Sequence, residues 1–255
     1  MSANAAREPL YRTRPGAEAI EAATDAPAVD LGNDLWMSSG LSNSYMVRTA
    51  EGRVIVNCGM GFEAPYHRVA FDAVDRSPIH TIILTQGHPD HLGGVDRFRE
   101  PATRIVTHAN FRIFRDDFEK LQTFRARNAA FAWMEKLQKA FDHARAARHE
   151  LPGQSHVEPT LTFTDEIELS IGGRTLRLIS TPGGETTDSL VVWLPECRTA
   201  LTGNVLGPLF GHVPNLVTVR GDRYRDALDY VASVDLLRAL RPARLVTGHF
   251  DPIEG

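Results

Sequence analysis

Hydrophobic positions along the chain come first in short runs, then at helical spacing, then in short runs again. Leu35-Trp36-Met37 and Ser44-Tyr45-Met46-Val47-Arg48 read as two strands around Gly40-Leu41-Ser42-Asn43. Glu51-Gly52 marks a hairpin turn, and Arg53–Asn57 is a third strand ending in Cys58-Gly59-Met60-Gly61. The spacing predicts a helix from Pro65 to Asp75 with Val69, Phe71 and Val74 on one side. Thr81-Ile82-Ile83-Leu84 reads as a buried strand, and Arg104–Thr107 as another, closed by His108-Ala109-Asn110. From Phe111 to about Glu150 the period changes. Leu121, Phe124, Ala129, Ala132, Trp133, Leu137 and Phe141 recur at roughly helical spacing, which predicts two helices broken near Thr123–Asn128. That stripe reads as core or a subunit contact, and it could also roof a site. Strands return at Thr160–Phe163, Ile167–Ile171, Arg174–Ser180, Ser189–Leu194 and Thr199–Thr202, with Gly172-Gly173 as a tight hairpin. Tyr224–Leu240 is a helix with Ala227, Leu228, Val231, Val234 and Leu237 on its apolar face, and Arg244–Thr247 is the last strand. Residues 1–33 are expected to be an arm, disordered in part or docked on a neighbour. Residues 34–255 then form the domain, with a helical insertion at about 111–150.

Composition adds exclusions. At 255 residues and net charge −4 the chain is one large domain or two small ones, and nothing points to nucleic acid. Cys58 and Cys197 stand far apart, so no disulfide framework is expected, and a reducing, cytoplasmic setting is the simpler assumption. No basic region followed by an apolar run opens the sequence, and no stretch is long and apolar enough to span a membrane.

Candidate chemistry concentrates at Thr85–Gly94, which reads T-Q-G-H-P-D-H-L-G-G. His88, Asp90 and His91 follow a strand, and Pro89 stiffens the loop. Two imidazoles and a carboxylate this close suit a divalent metal of Zn, Mn or Fe type. A late Gly248-His249 follows the last strand.

This order of strands, helix, metal loop, insertion, strands and late His resembles the metallo-β-lactamase superfamily from about Asp34 onward. The resemblance implies an α/β fold, a four-layer αβ/βα sandwich with metals at one edge of the two sheets. The family loop is H-x-H-x-D-H; here Gln86 takes the place of the first His. Thr181-Pro182-Gly183-Gly184-Glu185 and Asn215-Leu216-Val217-Thr218-Val219-Arg220-Gly221 are similar to T-P-G-x-E and N-x-x-T-L-R-G of the alkylsulfatase-like branch. The long insertion is a third feature of that branch. The branch continues into dimerisation and sterol-carrier-like domains, so a fragment or a minimal version is expected here.

By this resemblance His88 and Glu185 match ligands of a first metal site, with Gln86 in place of its other His. Asp90, His91 and His249 match the second site. Asn204 stands where an acidic residue bridges two metals. Neutral amides are weaker ligands than imidazole or carboxylate, so one strong metal at the second site is expected, with a second weak, different or absent. Zinc is the expected ion, one or two, with Mn or Fe as alternatives.

The implied chemistry is metal-dependent hydrolysis of a small-molecule ester by attack of metal-bound hydroxide, a sulfate ester foremost. A lactone, carboxylic ester or phosphoester is the runner-up. Asp90 would orient the water or take its proton. Arg220 would bind an anion, or else pair with Asp222 or Asp226, and His212 would protonate a leaving alkoxide, or else be structural. Asp188 would hold a ligand from behind, or simply start a strand. A homodimer is left open. The competing class is a non-catalytic module that kept the fold and lost the dinuclear site.

Overall fold

The computed structural model describes residues 8, 10–13, 16–147, 151–206, 223 and 225–255. Two sheets face each other. The first holds, in spatial order, β1 (Val29–Asp30), β2 (Leu35–Ser38), β3 (Ser44–Thr49), β4 (Gly52–Val56), β5 (Ile79–Ile83), β6 (Arg104–His108) and β7 (Leu161–Phe163). The second runs from β8 (Glu166–Ile171) through β9 (Arg174–Ser180), β10 (Leu190–Leu194), β11 (Thr199–Gly203) and β12 (Arg244–Thr247) to β13 (Ile253–Glu254). Pairing is antiparallel except along β4-β5-β6-β7 and between β11 and β12.

The period of two in the strands explains the layers. Tyr45, Val47, Val54, Val56, Ile83 and Val106 point inward and meet Leu176, Leu178, Leu190, Val192, Leu201 and Val246 of the other sheet. Their neighbours Met46, Ile55, Ile82 and Ile105 point outward, against Phe71, Leu92, Val95, Phe98 and Phe111. After α1 (Leu10–Thr13) in the arm, the helices α2 (Ala64–Val74), α3 (Pro89–Leu92), α4 (Val95–Phe98) and α5 (Phe111–Lys120) carry or flank those partners. On the far side, α7 (Ala227–Leu240) packs Leu237 against Ile179, Val191, Trp193 and Ala200. Helix, sheet, sheet, helix is the four-layer sandwich expected from the sequence.

Three details correct that expectation. The helices of the insertion, α5 and α6 (Gln122–Ala146), break at Leu121, ahead of Thr123–Asn128. Helix α2 buries Tyr66, His67, Ala70 and Phe71 and leaves Val69 half-exposed, because a layer over a sheet needs only one stripe. Helix α7 presents Ser233 and Leu237 inward, while Leu228 and Val231 face out. A backbone approach sets that rotation: Gly183 lies so close to the Asp229–Tyr230 peptide that a Cβ on it would sit 2.0 Å from Asp229 atoms.

The N-terminal stretch docks on the chain's own fold. Val29 and Asp30 pair with Met37 and Trp36, and Ile20 and Ala23 are buried. Ile20 packs with Leu41, Ala140, Trp133, Leu137 and Phe250, so arm, insertion and a site-forming loop share one cluster. From the predicted stripe, Trp133 and Leu137 join that cluster, whereas Leu121, Phe124 and Phe141 remain substantially exposed.

Candidate metal centre

The ionisable residues lie where strands of both sheets end. After β5 the chain runs through Thr85 to His91, with His88 immediately before the short α3. After β9 comes the Thr181–Glu185 turn, after β11 comes Asn204, and after β12 comes His249. Two hydrogen bonds tie the ends across the sandwich, Asn43 N–H to Gly248 O at 2.8 Å and the Tyr45 hydroxyl to Thr247 O at 2.5 Å, and within the first sheet Cys58 N–H donates to His91 O at 2.7 Å. Gly248 is required by proximity, since a Cβ there would stand 2.2 Å from Asn204 Oδ1 and 3.0 Å from His91 Cε1.

Asp90, His91 and His249 form a group whose donor atoms all lie within 4.8 Å of one another. Asp90 Oδ2 is 3.5 Å from His91 Nε2 and 3.7 Å from His249 Nε2. Two donors each ~2.1 Å from one tetrahedral ion stand ~3.4 Å apart, so the set fits a single metal of zinc type. His249 Nδ1 donates to Leu41 O at 2.7 Å. A carbonyl only accepts, so the proton is on Nδ1 and the Nε2 lone pair faces the group. Burial pushes the His91 imidazole down to about 4, against the opposing pull of Asp90. The ring is therefore neutral at neutral pH, the state in which imidazole ligates.

The other residues converge differently. Glu185 Oε2 accepts from Gln86 Nε2 at 2.9 Å and from Asn204 Nδ2 at 2.8 Å, and lies 3.2 Å from His88 Nδ1. Gln86 Nε2 is also 2.8 Å from His88 Nδ1. The Asn204 amide reaches the second group too, 3.1 Å from His91 Nε2 and 3.3 Å from His249 Nε2. Among the described residues, the buried amide oxygens of Gln86 and Asn204 have no hydrogen-bond partner. An amide turned over would present that oxygen to an ion, so the donor set admits a second metal only by giving up its present hydrogen bonds.

Arginines surround this half. Arg225 Nε donates to Glu185 O at 2.8 Å, and its Nη2 is 3.7 Å from Glu185 Oε1. Arg125 Nη2 lies 3.4 Å from His88 Nε2, and its guanidinium sits 4.2 Å from the centre of the Phe118 ring. Arg115 covers the same ring at 4.8 Å and donates to Gly87 O at 3.0 Å. Phe114 and Phe118 stand edge-on to His88. Burial pushes the Asp188 carboxyl up to about 6. A Cβ on Gly87 would be 3.1 Å from Asp188 Oδ2, which places this acid beneath the loop.

The structure thus brings Gln86, His88, Asp90, His91, Glu185, Asn204 and His249 to one strand-end site. Arg220 and His212 lie outside the described residues. Sequence reasoning missed Arg125, Arg225 and the carbonyl of Leu41. Arg125 sits in the aromatic stripe, where nothing marks one arginine, and Arg225 is one of several basic residues after Val219.

The sequence matches the model of the metallo-β-lactamase superfamily over residues 38–249. It is 27% identical over 226 residues to a linear primary-alkylsulfatase of a Pseudomonas species, covering 82% of this chain and 42% of that protein. A β-lactamase-like protein 2 homolog of Caenorhabditis elegans is 25% identical over 211 residues, 82% of this chain and 55% of the relative. The chain therefore spans about half the length of these relatives, or less. Among solved structures, the sec-alkylsulfatase Pisa1 of Pseudomonas superposes with a TM-score of 0.74 at 19% identity, over 90% of this chain and 39% of that one. A metallo-β-lactamase family protein of Thermus thermophilus gives 0.62 at 23%, over 88% and 76%. With the family pattern matched from Ser38 to His249 and its two-sheet architecture in place, the chain belongs to the metallo-β-lactamase superfamily, whose members are mostly hydrolases and typically bind zinc.

Proposed function

We propose that the chain hydrolyses an ester carrying an anionic group, a sulfate ester foremost, with one divalent cation held by Asp90, His91 and His249. The observation that carries this reading is the convergence of those three donors, while Glu185 beside them is already bonded to Gln86 and Asn204. Zinc suits the two imidazoles and one carboxylate, and Mn or Fe would accept the same set. Such an ion supplies Lewis acidity and a water acidified to a pKa of about 7.

The remaining work falls to side chains. Asp90 is the most exposed of the three donors and lies within reach of both imidazoles, so it can orient a water and take its proton. Arg125 and Arg225 put positive charge beside His88 and Glu185, which suits an anionic substrate group. Arg220 as a further anion contact and His212 as the acid for the leaving alkoxide complete the reading. The similarity to alkylsulfatases supports a sulfate ester over a phosphoester, carboxylic ester or lactone.

A non-catalytic module is the second reading. The Gln86–Glu185–Asn204 bonds favour it, because they satisfy half of the site without an ion. The test is zinc content after purification, followed by assay of the zinc-loaded protein on a linear alkyl sulfate, a phosphate monoester, a carboxylic ester and a lactone. Alkyl sulfate hydrolysis is the expected result, and preference for another ester moves the substrate class. Zinc-loaded protein without turnover on any of the four supports the module, and failure to bind zinc overturns the metal reading.

A further inference from the structure

Glu63 stands at the N-terminal end of α2, where a carboxylate ordinarily complements the helix dipole or caps a backbone N–H. Here the side chain makes no capping hydrogen bond. It is buried and turned away from its helix. Its Oε1 accepts from Ala23 N–H of the arm at 2.7 Å. Both of its oxygens lie 3.2 Å from Leu41 N, within the loop between β2 and β3. The same Leu41 residue offers its carbonyl to His249 Nδ1 at 2.7 Å. A chain of contacts therefore runs from the arm through one carboxylate and one loop residue to the imidazole whose other nitrogen faces Asp90.

We propose that Glu63 is a positioning residue, which fixes the Leu41 loop against the arm and so holds His249 in the tautomer and orientation that a metal requires. The proposal rests on the reading of His249 as a metal ligand. Partners that orient a ligating imidazole from behind tune metal affinity without touching the ion. The arm belongs to the device: Ile20 and Ala23 are buried against it, and a cleft of about 440 Å³ bounded by Ile20, Ala22, Gly40, Asn43 and Phe250 has His249 in its wall. Loosening the arm thus changes what supports the ligand. Asp90 acts on Glu63 through its charge, and Glu63 in turn acts on Tyr66 together with Asp25.

The test compares wild type, Glu63→Gln and Glu63→Ala in the full chain. Histidine ring ¹⁵N resonances of the metal-free protein report the tautomer of His249, assigned by their loss in His249→Asn. Zinc affinity is measured by chelator competition, and arm release by cleavage at Glu18 and Glu21 with a glutamate-specific protease. Wild type should show a single Nδ1–H tautomer. Glu63→Ala removes both acceptors and should give mixed tautomers, at least about 10-fold weaker zinc binding and faster arm cleavage. Glu63→Gln keeps one acceptor and should recover most of the affinity, which a purely structural loss of stability would not predict. If Glu63→Ala fails to fold, the Gln variant decides, by a smaller shift in the same direction. A folded Glu63→Ala with one His249 tautomer and zinc affinity within twofold of wild type overturns the proposal; where only the Gln variant folds, a tautomer and affinity identical to wild type do so. If wild type binds no zinc, the proposed function falls, while the tautomer comparison still decides the role of Glu63.

Discussion

The two halves of the site are built on the same loop and differ in what their donors already hold. Asp90, His91 and His249 face one another at 3.5 and 3.7 Å, with Asn204 Nδ2 reaching both imidazoles at 3.1 and 3.3 Å. Across the Asn204 side chain, Glu185 takes hydrogen bonds from two amides and stands beside Arg225. Among the described residues, the Glu185 half has a guanidinium beside it, while the other half is two imidazoles and one carboxylate. Under the proposed one-metal reading, a ligand set is weakened less by losing a residue than by satisfying the ones that remain. An acceptor with donors in place gains little from an ion, because those hydrogen bonds must first be given up.

The largest expected effect tests the half with the two imidazoles. An ion present at 1,000 times its Kd adds about 4 kcal/mol to stability. For a chain of this size that is roughly 10 °C in Tm. Chelation should lower the wild-type midpoint by that amount, and His91→Ala should melt at one temperature with or without chelator. Coincident wild-type curves would erase the distinction between the halves.

Next comes the half that carries its own cation. Arg225→Leu removes the guanidinium from a nearly buried Glu185. Leaving one partner of a buried pair alone should cost about 3 kcal/mol, read by denaturant unfolding. A loss below about 1 kcal/mol would mean that the amides alone suffice for Glu185.

The support behind His249 has a pH signature. Burial pushes the Glu63 carboxyl up to about 7 from a usual 4.5, with Asp90 adding to the rise and the Ala23 and Leu41 N–H groups opposing it. The folded state then holds a proton that the unfolded state releases. Glu63 therefore stabilises most below pH 4.5 and loses that contribution as pH rises through about 7. The full span is up to about 3 kcal/mol. In metal-free protein, Glu63→Gln should flatten the fall across this window, and an unchanged slope would assign it to other groups.

The smallest change is one of stoichiometry. Gln86→His with Asn204→Asp restores an imidazole and a carboxylate, which compete better for an ion than an amide does. Metal per chain should rise from one toward two by elemental analysis. Two tightly held ions in wild type would show that Gln86 and Asn204 work as ligands.

Much of the architecture was legible because strand alternation is a local signal. Val54 and Val56 face one layer and Ile55 the other, as the sequence alone requires. Helix faces were less legible. Leu228 looks like a core residue of α7, yet the face turned inward is set by the distant Gly183, whose approach no spacing rule contains. The same holds at the site. His88, Asp90 and His91 announce themselves within four residues. Arg125 reaches His88 from 37 residues away and Glu63 reaches Leu41 from 22, and each looks ordinary in its own segment. Periodicity could not distinguish an amide that ligates from one that donates to Glu185; that needed the geometry.

The division of the proposed ligands between sheets also sets an order in time. Asp90 and His91 follow β5, whereas His249 follows β12. At synthesis rates of roughly 5–20 residues per second, the third donor trails the first two by on the order of ten seconds or more. Throughout that interval the nascent loop offers a carboxylate and two imidazoles with no closing partner. Ribosome-bound chains stalled before His249 should therefore hold zinc only weakly, and chains released past it should hold it tightly. On the proposed metal reading, tight capture would then wait until the segment after β12 has been made.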